Sequence, residues 1–175
     1  MSPDTPGAAA AEQDASEDDT VTSATLRGLT EDLESDALDA PETLKRVWAG
    51  LCVARLLGLR LAASGLVRLQ ANAESVEHQL AHDLATTATF TREPLHLPTP
   101  AQPAPLHPEE VAEALEALVE FSATARRRML ASARLAAQWH DERVLRHDSL
   151  VMGELAAAWL GLRGSYRVDR RCPRP

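Results

Sequence analysis

Apolar positions recur along this chain at three- and four-residue intervals, and the densest run is Val47–Val67, VWAGLCVARLLGLRLAASGLV. Only Arg55, Arg60 and Ser64 interrupt its apolar or small residues. About 20 apolar residues suffice to cross a bilayer. Two arginines near the middle oppose that use, at roughly 2.5–3.5 kcal/mol each. A helix buried in a bundle carries no such penalty, so the run predicts a bundle helix and no membrane span. Placed at helical intervals, Leu44, Trp48, Leu51, Leu59, Ala62, Leu66 and Leu69 share one side, while Lys45, Arg46, Arg60, Ser64 and Arg68 share the other. Arg55 falls inside the apolar side. A buried guanidinium needs compensation, so Arg55 is expected to meet a carboxylate, backbone carbonyls or an anionic ligand.

The same periodicity predicts the remaining elements. Leu26, Leu29 and Leu33 suggest a short helix over 23–35, with Gly28 inside it. Asp39-Ala40-Pro41-Glu42 is a helix start, and the helix it opens is expected to continue to about Gln70. Gly50, Ala54, Gly58 and Ala62 form a small-residue row along it where another helix can approach closely. After a turn near Asn72, a further helix with apolar face Ala73, Val76, Leu80, Leu84 and Ala88 is expected to reach Phe90. Pro94–Pro108, PLHLPTPAQPAPLHP, holds six prolines and reads as an extended crossover between two helical hairpins. The next helix begins at Pro108-Glu109-Glu110, with Val111, Leu115, Leu118, Ser122, Ala125, Met129, Ala133 and Ala136 as its inner row. The last, with Val144, Val151, Leu155, Ala158 and Leu162 inward, is expected to end near Arg163 with Gly164 as its stop. The pattern therefore predicts an all-α four-helix bundle. Residues 23–164 form the bundle domain, with 94–108 as the Pro-rich crossover.

Composition agrees with helices: alanine and leucine dominate and aromatics make up only 3%. The net charge of −8 hides a split, because residues 1–42 hold twelve acids against Arg27 alone. Residues 1–22 carry no apolar periodicity and are expected to be a disordered acidic tail. From Arg163 onward five arginines face only Asp169, so 165–175 reads as a basic tail. Nothing at the N-terminus resembles a secretory signal, and a cytoplasmic protein is expected. The two cysteines, Cys52 and Cys172, make neither a disulfide framework nor a zinc site. Arg126-Arg127-Arg128 spreads over different helix faces without aromatic partners, which argues against a nucleic-acid surface.

Three groups of side chains carry candidate chemistry. Glu77 lies on the inward side of its helix and is the first candidate partner for Arg55, with His147, Asp148 and Glu154 as alternatives. His78 and His82 are four apart, a metal-chelating spacing, although their face points away from the apolar one. His140, His147 and Glu154 share a side of the last helix, but residues seven apart stand about 10.5 Å from one another, too far to share one ion unaided. His78, His82 and His147 are thus the candidate ligands for a divalent metal, with no other cofactor expected.

Ser75-Val76-Glu77-His78-Gln79-Leu80-Ala81-His82, the crossover leading into HPEEVAEALEAL, and Met152-Gly153-Glu154-Leu155 followed by Trp159 resemble the DinB/YfiT-like superfamily of four-helix bundles. The resemblance spans roughly residues 44–166 through short motifs. It implies that bundle fold and a metal-dependent enzyme in which His82 is a ligand. The two further histidines of that family's last helix are matched here by Leu162 and Tyr166, so the implied metal site is incomplete.

Glycine-rich phosphate loops, nucleophile elbows and zinc-type cysteine spacings are all missing from the sequence. The leading expectation is a non-catalytic helical-bundle protein acting through protein–protein contact or self-association. A DinB-like metal-dependent enzyme with a degenerate site is one alternative. A binder of small anionic ligands using Arg55 is the other.

Overall fold

The computed structural model describes residues 21–35, 38–91 and 93–162. The expected acidic and basic tails lie outside them, apart from Val21 and Thr22. Thr22 belongs to the folded part: its hydroxyl accepts from the Thr25 amide and caps the first helix. The described residues are all-helical, with five α-helices and no strand. These are α1 (Ser23–Leu33), α2 (Ala40–Ala63), α3 (Val67–Ala85), α4 (Glu110–Ser132) and α5 (Trp139–Trp159). Short 3₁₀ turns at Ala88–Phe90 and Ala133–Leu135 follow α3 and α4. Among them no helix is long and apolar enough to cross a membrane.

Helix α2 starts as its sequence dictates. Asp39 Oδ1 accepts from the Glu42 amide at 2.8 Å, and Pro41 occupies the first turn. Its end differs from expectation. The helix stops at Ala63, because Gly65 adopts φ +102° and sends the Leu66 and Gly65 amides back to the carbonyls of Leu61 and Ala62. The turn therefore falls at Ser64–Leu66 rather than near Asn72, and Leu69 belongs to α3. Helix α3 in turn ends at Ala85, short of Phe90. Helix α5 ends in the same way, on Gly161 (φ +70°) with Leu162 and Gly161 bonded back to Ala157 and Ala158. Leu162, expected inside, thus lies beyond the helix and is 75% exposed.

Helix α2 packs on α3 and α4, and α5 packs on the same two, so the four helices form a closed ring. Helix α1 lies over α2 and α4 as a fifth member that a plain four-helix count omits. Directions follow from the end contacts. Thr43 Oγ1, at the start of α2, meets Ser132 Oγ at the end of α4 at 2.7 Å. Thr86 and Ala88, just past α3, meet His140 and Asp141 at the start of α5. All four neighbouring pairs in the ring are therefore antiparallel. The segment from Phe90 to Leu106 must then run the length of the bundle before α4 begins.

That segment is not free. Phe90 stacks edge-on against Trp48 with centroids 6.5 Å apart, and Leu106 is buried. Ser64 Oγ accepts from the Leu106 amide at 2.7 Å. Arg60 donates to the carbonyls of Ala104 (3.0 Å) and, from another nitrogen, Val21 (2.7 Å). Arg60, on the side of the helix opposite the apolar one by sequence, is half-buried and ties two chain segments to α2.

The core holds Leu44, Val47, Leu51, Leu57 and Leu61 from α2, with Leu80 and Leu84 from α3. Phe121 and Met129 from α4 and Leu155 and Trp159 from α5 complete it. The small-residue row of α2 serves two partners. A Cβ on Gly50 would collide with the Phe121 ring of α4. One on Gly58 would collide with the Gln70 carboxamide oxygen and stand 2.5 Å from Trp159 Cη2.

Candidate functional site

Two buried charge clusters interrupt this apolar interior. The first is built on Arg55. The i, i+3 spacing of Glu74 and Glu77 puts both carboxylates on the face of α3 that meets α2. Arg55 Nη1 donates to Glu77 Oε2 and Nη2 to Glu74 Oε1, each at 2.8 Å. Gln70, one helical stretch earlier on α3, donates from Nε2 to the same Glu77 oxygen at 3.2 Å. Glu77 is completely buried and the Arg55 side chain nearly so, while Glu74 is half-exposed. Burial opposes the Arg55 charge, but the hydrogen bonds to Glu74 and Glu77 outweigh it and the guanidinium pKa is raised. Burial also raises the Glu77 carboxyl above its ordinary range, and the Arg55 bond opposes that rise only in part. Arg55 thus meets the first of the partners its sequence position suggested, and also Glu74. Both its terminal nitrogens are taken by carboxylates, which is the arrangement of a structural ion pair rather than of an anion site.

The second cluster spans α3 and α5. Asp148 sits in the inner row of α5 among Leu145, Val151, Met152 and Leu155, and is wholly buried. Neither of its oxygens receives a hydrogen bond. Asp83 of α3 faces it with a second carboxylate, and His147 flanks it. One ligand-capable atom from each of Asp83, His147 and Asp148 lies within 4.8 Å of the other two. His147 Nε2 stands 3.8 Å from Asp83 Oδ2 and 3.2 Å from Gln79 Nε2. Burial, followed by the charge of Asp83, pushes the Asp148 carboxyl up to about 8.

His147, Asp148 and Glu154 are the alternative partners that the sequence suggests for Arg55; its terminal nitrogens meet Glu77 and Glu74 instead. Asp83 had not been singled out. His78 and His82, chosen for their spacing, are both exposed on α3. His78 approaches Glu74 at 4.0 Å, and neither histidine joins a three-ligand grouping among the described residues. Of the three candidate metal ligands, only His147 is brought together with other ligand-capable groups. Of the two positions matched to the family's missing histidines, Leu162 is exposed past the end of α5, and Tyr166 lies outside the described residues. Cys52 is half-buried and free, and burial pushes its thiol up to about 11, so it is an unreactive thiol at neutral pH.

The outer side of α5 has a different character. Trp139 is 70% and Leu150 63% exposed, and Leu160 and Leu162 beyond the helix are also exposed. Trp139, Arg143, Arg146 and Leu150 follow an i, i+4, i+7, i+11 spacing and so share one face. The Arg143 guanidinium lies over the Trp139 ring, 5.1 Å from its centroid.

No protein-family model matches the chain, and neither a curated protein nor a solved structure resembles it. The functional reading therefore rests on the geometry of the chain itself.

Proposed function

We propose that the protein acts through contact, by self-association of its bundle along the outer face of α5. The observation that carries this reading is the exposed Trp139–Arg143–Arg146–Leu150 face, with two large apolar and two basic side chains in line. Tryptophan and arginine are enriched among the residues that dominate protein interfaces, and this face presents one tryptophan and two arginines together.

The order of residues supports a second copy as the partner. A two-fold axis through Leu150 would pair two α5 helices antiparallel and set each residue against its mirror in number. Arg146 would then oppose Glu154, each four residues from the axis. Trp139 would oppose Gly161, flanked by the exposed Leu160 and Leu162. An isologous interface needs such self-complementarity: cation opposite anion, aromatic opposite apolar. Arg55 offers an anionic ligand little, because its terminal nitrogens are engaged by Glu74 and Glu77.

Sedimentation equilibrium of the full chain tests the proposal. The wild type is expected to dimerise in the micromolar range, where about −8 kcal/mol of association free energy is required. Leu150→Asp and Trp139→Ala alter exposed positions and are expected to keep the helical circular dichroism while shifting the protein to monomer. A wild type that stays monomeric to about 100 μM, roughly −5 kcal/mol on the same scale, overturns self-association.

A further inference from the structure

Among the described residues, Asp148 is a buried carboxyl that the fold leaves without a hydrogen-bond donor. Arg55 shows how this bundle treats an interior charge elsewhere, with an opposite charge at 2.8 Å. Asp148 has the reverse: no donor on either oxygen, and a second carboxylate, Asp83, facing it. Two carboxylates at close range in a buried setting require a cation or a shared proton between them. His147 adds a third ligand type at the solvent edge of the same place.

We infer that Asp83, His147 and Asp148 form a binding site for a divalent first-row transition-metal ion that ties α3 to α5. The geometry is close to what such an ion needs. With metal–ligand bonds of about 2.1 Å, tetrahedral ligand atoms stand about 3.4 Å apart. The His147–Asp83 pair is at 3.8 Å and the whole set falls within 4.8 Å, so a contraction of about an ångström closes it. Asp83 and His147 are partly exposed and can supply that movement by side-chain rotation, while Asp148 is held by its packing. His147 Nε2 gives up its 3.2 Å contact with Gln79 in doing so.

The donor set also defines the class of ion. Two carboxylates balance a 2+ charge, which removes the penalty that Asp148 otherwise carries in the interior. The imidazole favours zinc, copper, iron or nickel over magnesium and calcium, which take oxygen ligands. His147 is more than half exposed, so the ion has a route in and keeps positions open to water or a further ligand. The site uses the flank of α5 and does not depend on the contact face proposed above.

The test titrates chelator-stripped, full-length protein with zinc chloride by calorimetry, and with cobalt(II) by its visible absorption. The expected result is one ion per chain. His147→Ala, at an exposed position, and Asp148→Asn should each weaken binding at least tenfold. His82→Ala should leave it unchanged. Zinc should raise the unfolding midpoint of the wild type but not of either ligand variant. The inference is overturned if the wild type shows no saturable binding, or if loss follows His82→Ala instead of His147→Ala. It is also overturned if the wild type binds no ion and Asp148→Asn is simply more stable, which identifies a carboxyl pair sharing one proton. His147→Ala keeps the test decisive should Asp148→Asn fold poorly.

Discussion

Replacing Arg55 by methionine keeps most of the side chain's length and apolar stem and removes both bonds to carboxylates. Glu74 is half-exposed and can return to water at little cost. Glu77 is fully buried and keeps only the 3.2 Å bond from Gln70 Nε2. Breaking a buried ion pair from one side costs about 3–5 kcal/mol, because the remaining charge is stranded. That is a large part of the roughly 5–15 kcal/mol that stabilises a typical domain. The penalty carries a pH signature. Burial already raises the Glu77 pKa, and removing the guanidinium that opposes the rise sends it further up. An exposed glutamate titrates near 4.5, so the folded variant takes up its proton at a higher pH than the unfolded chain does. Its stability must therefore increase as pH falls, by up to about 1.4 kcal/mol per pH unit below the folded pKa. Wild type, whose Glu77 is raised less, gains less. Urea unfolding should show a deficit of about 3–5 kcal/mol at pH 7 that is smaller at pH 5. Adding Glu77→Leu to Arg55→Met should recover most of it, since an apolar replacement of a buried pair is often neutral. A deficit below about 1 kcal/mol, or one equal at both pH values, refutes the view that Arg55 keeps a buried Glu77 ionised.

Three further outcomes follow from other positions. Gly58→Ala places a methyl against the Gln70 oxygen and Trp159 ring and should cost about 1–3 kcal/mol in thermal or urea unfolding; a neutral result means that α2 and α5 are further apart than described. Asp148 has a folded pKa of about 8 against an ordinary 3.8, so its share of stability is present at low pH and lost as pH rises between those values. Metal-free protein should lose up to ~5 kcal/mol across that window, and Asp148→Asn should abolish this part of the slope in urea titrations at pH 5 and 8. Asp39→Ala removes the 2.8 Å cap on the Glu42 amide and should lower stability by about 1 kcal/mol, measured as a shift in the denaturation midpoint without a change in slope.

Much of the architecture was legible because helical periodicity reports burial directly. Val76, Leu80 and Leu84, and Leu118, Ala125 and Met129, were readable as inner rows and are buried. Helix ends were harder. Ser64-Gly65 lies inside an apolar run whose periodicity continues unchanged, and only the positive φ of Gly65 marks the corner. Arg55 was legible as a charge on an apolar face. Asp148 breaks the inner row of α5 in the same manner, yet its sequence position was weighed only as a partner for Arg55. Its true neighbour, Asp83, comes from another helix at a distance of 65 positions, a pairing that depends on how α3 and α5 are set against each other. The spacing of His78 and His82 was visible and misleading, since i, i+4 spacing fixes a shared face but not whether anything packs against it.

Arg60 joins Val21, before α1, to Ala104, before α4. Two stretches of backbone separated by more than eighty positions thus depend on one side chain for their anchorage. Their fluctuations are coupled through it: if the guanidinium lets go, the entry to α1 and the approach to α4 are released together. Amide exchange should register this as a joint loss of protection at both places in Arg60→Ala, although three helices lie between them in the chain. Local opening in this bundle then has a unit that is contiguous in space and split in sequence.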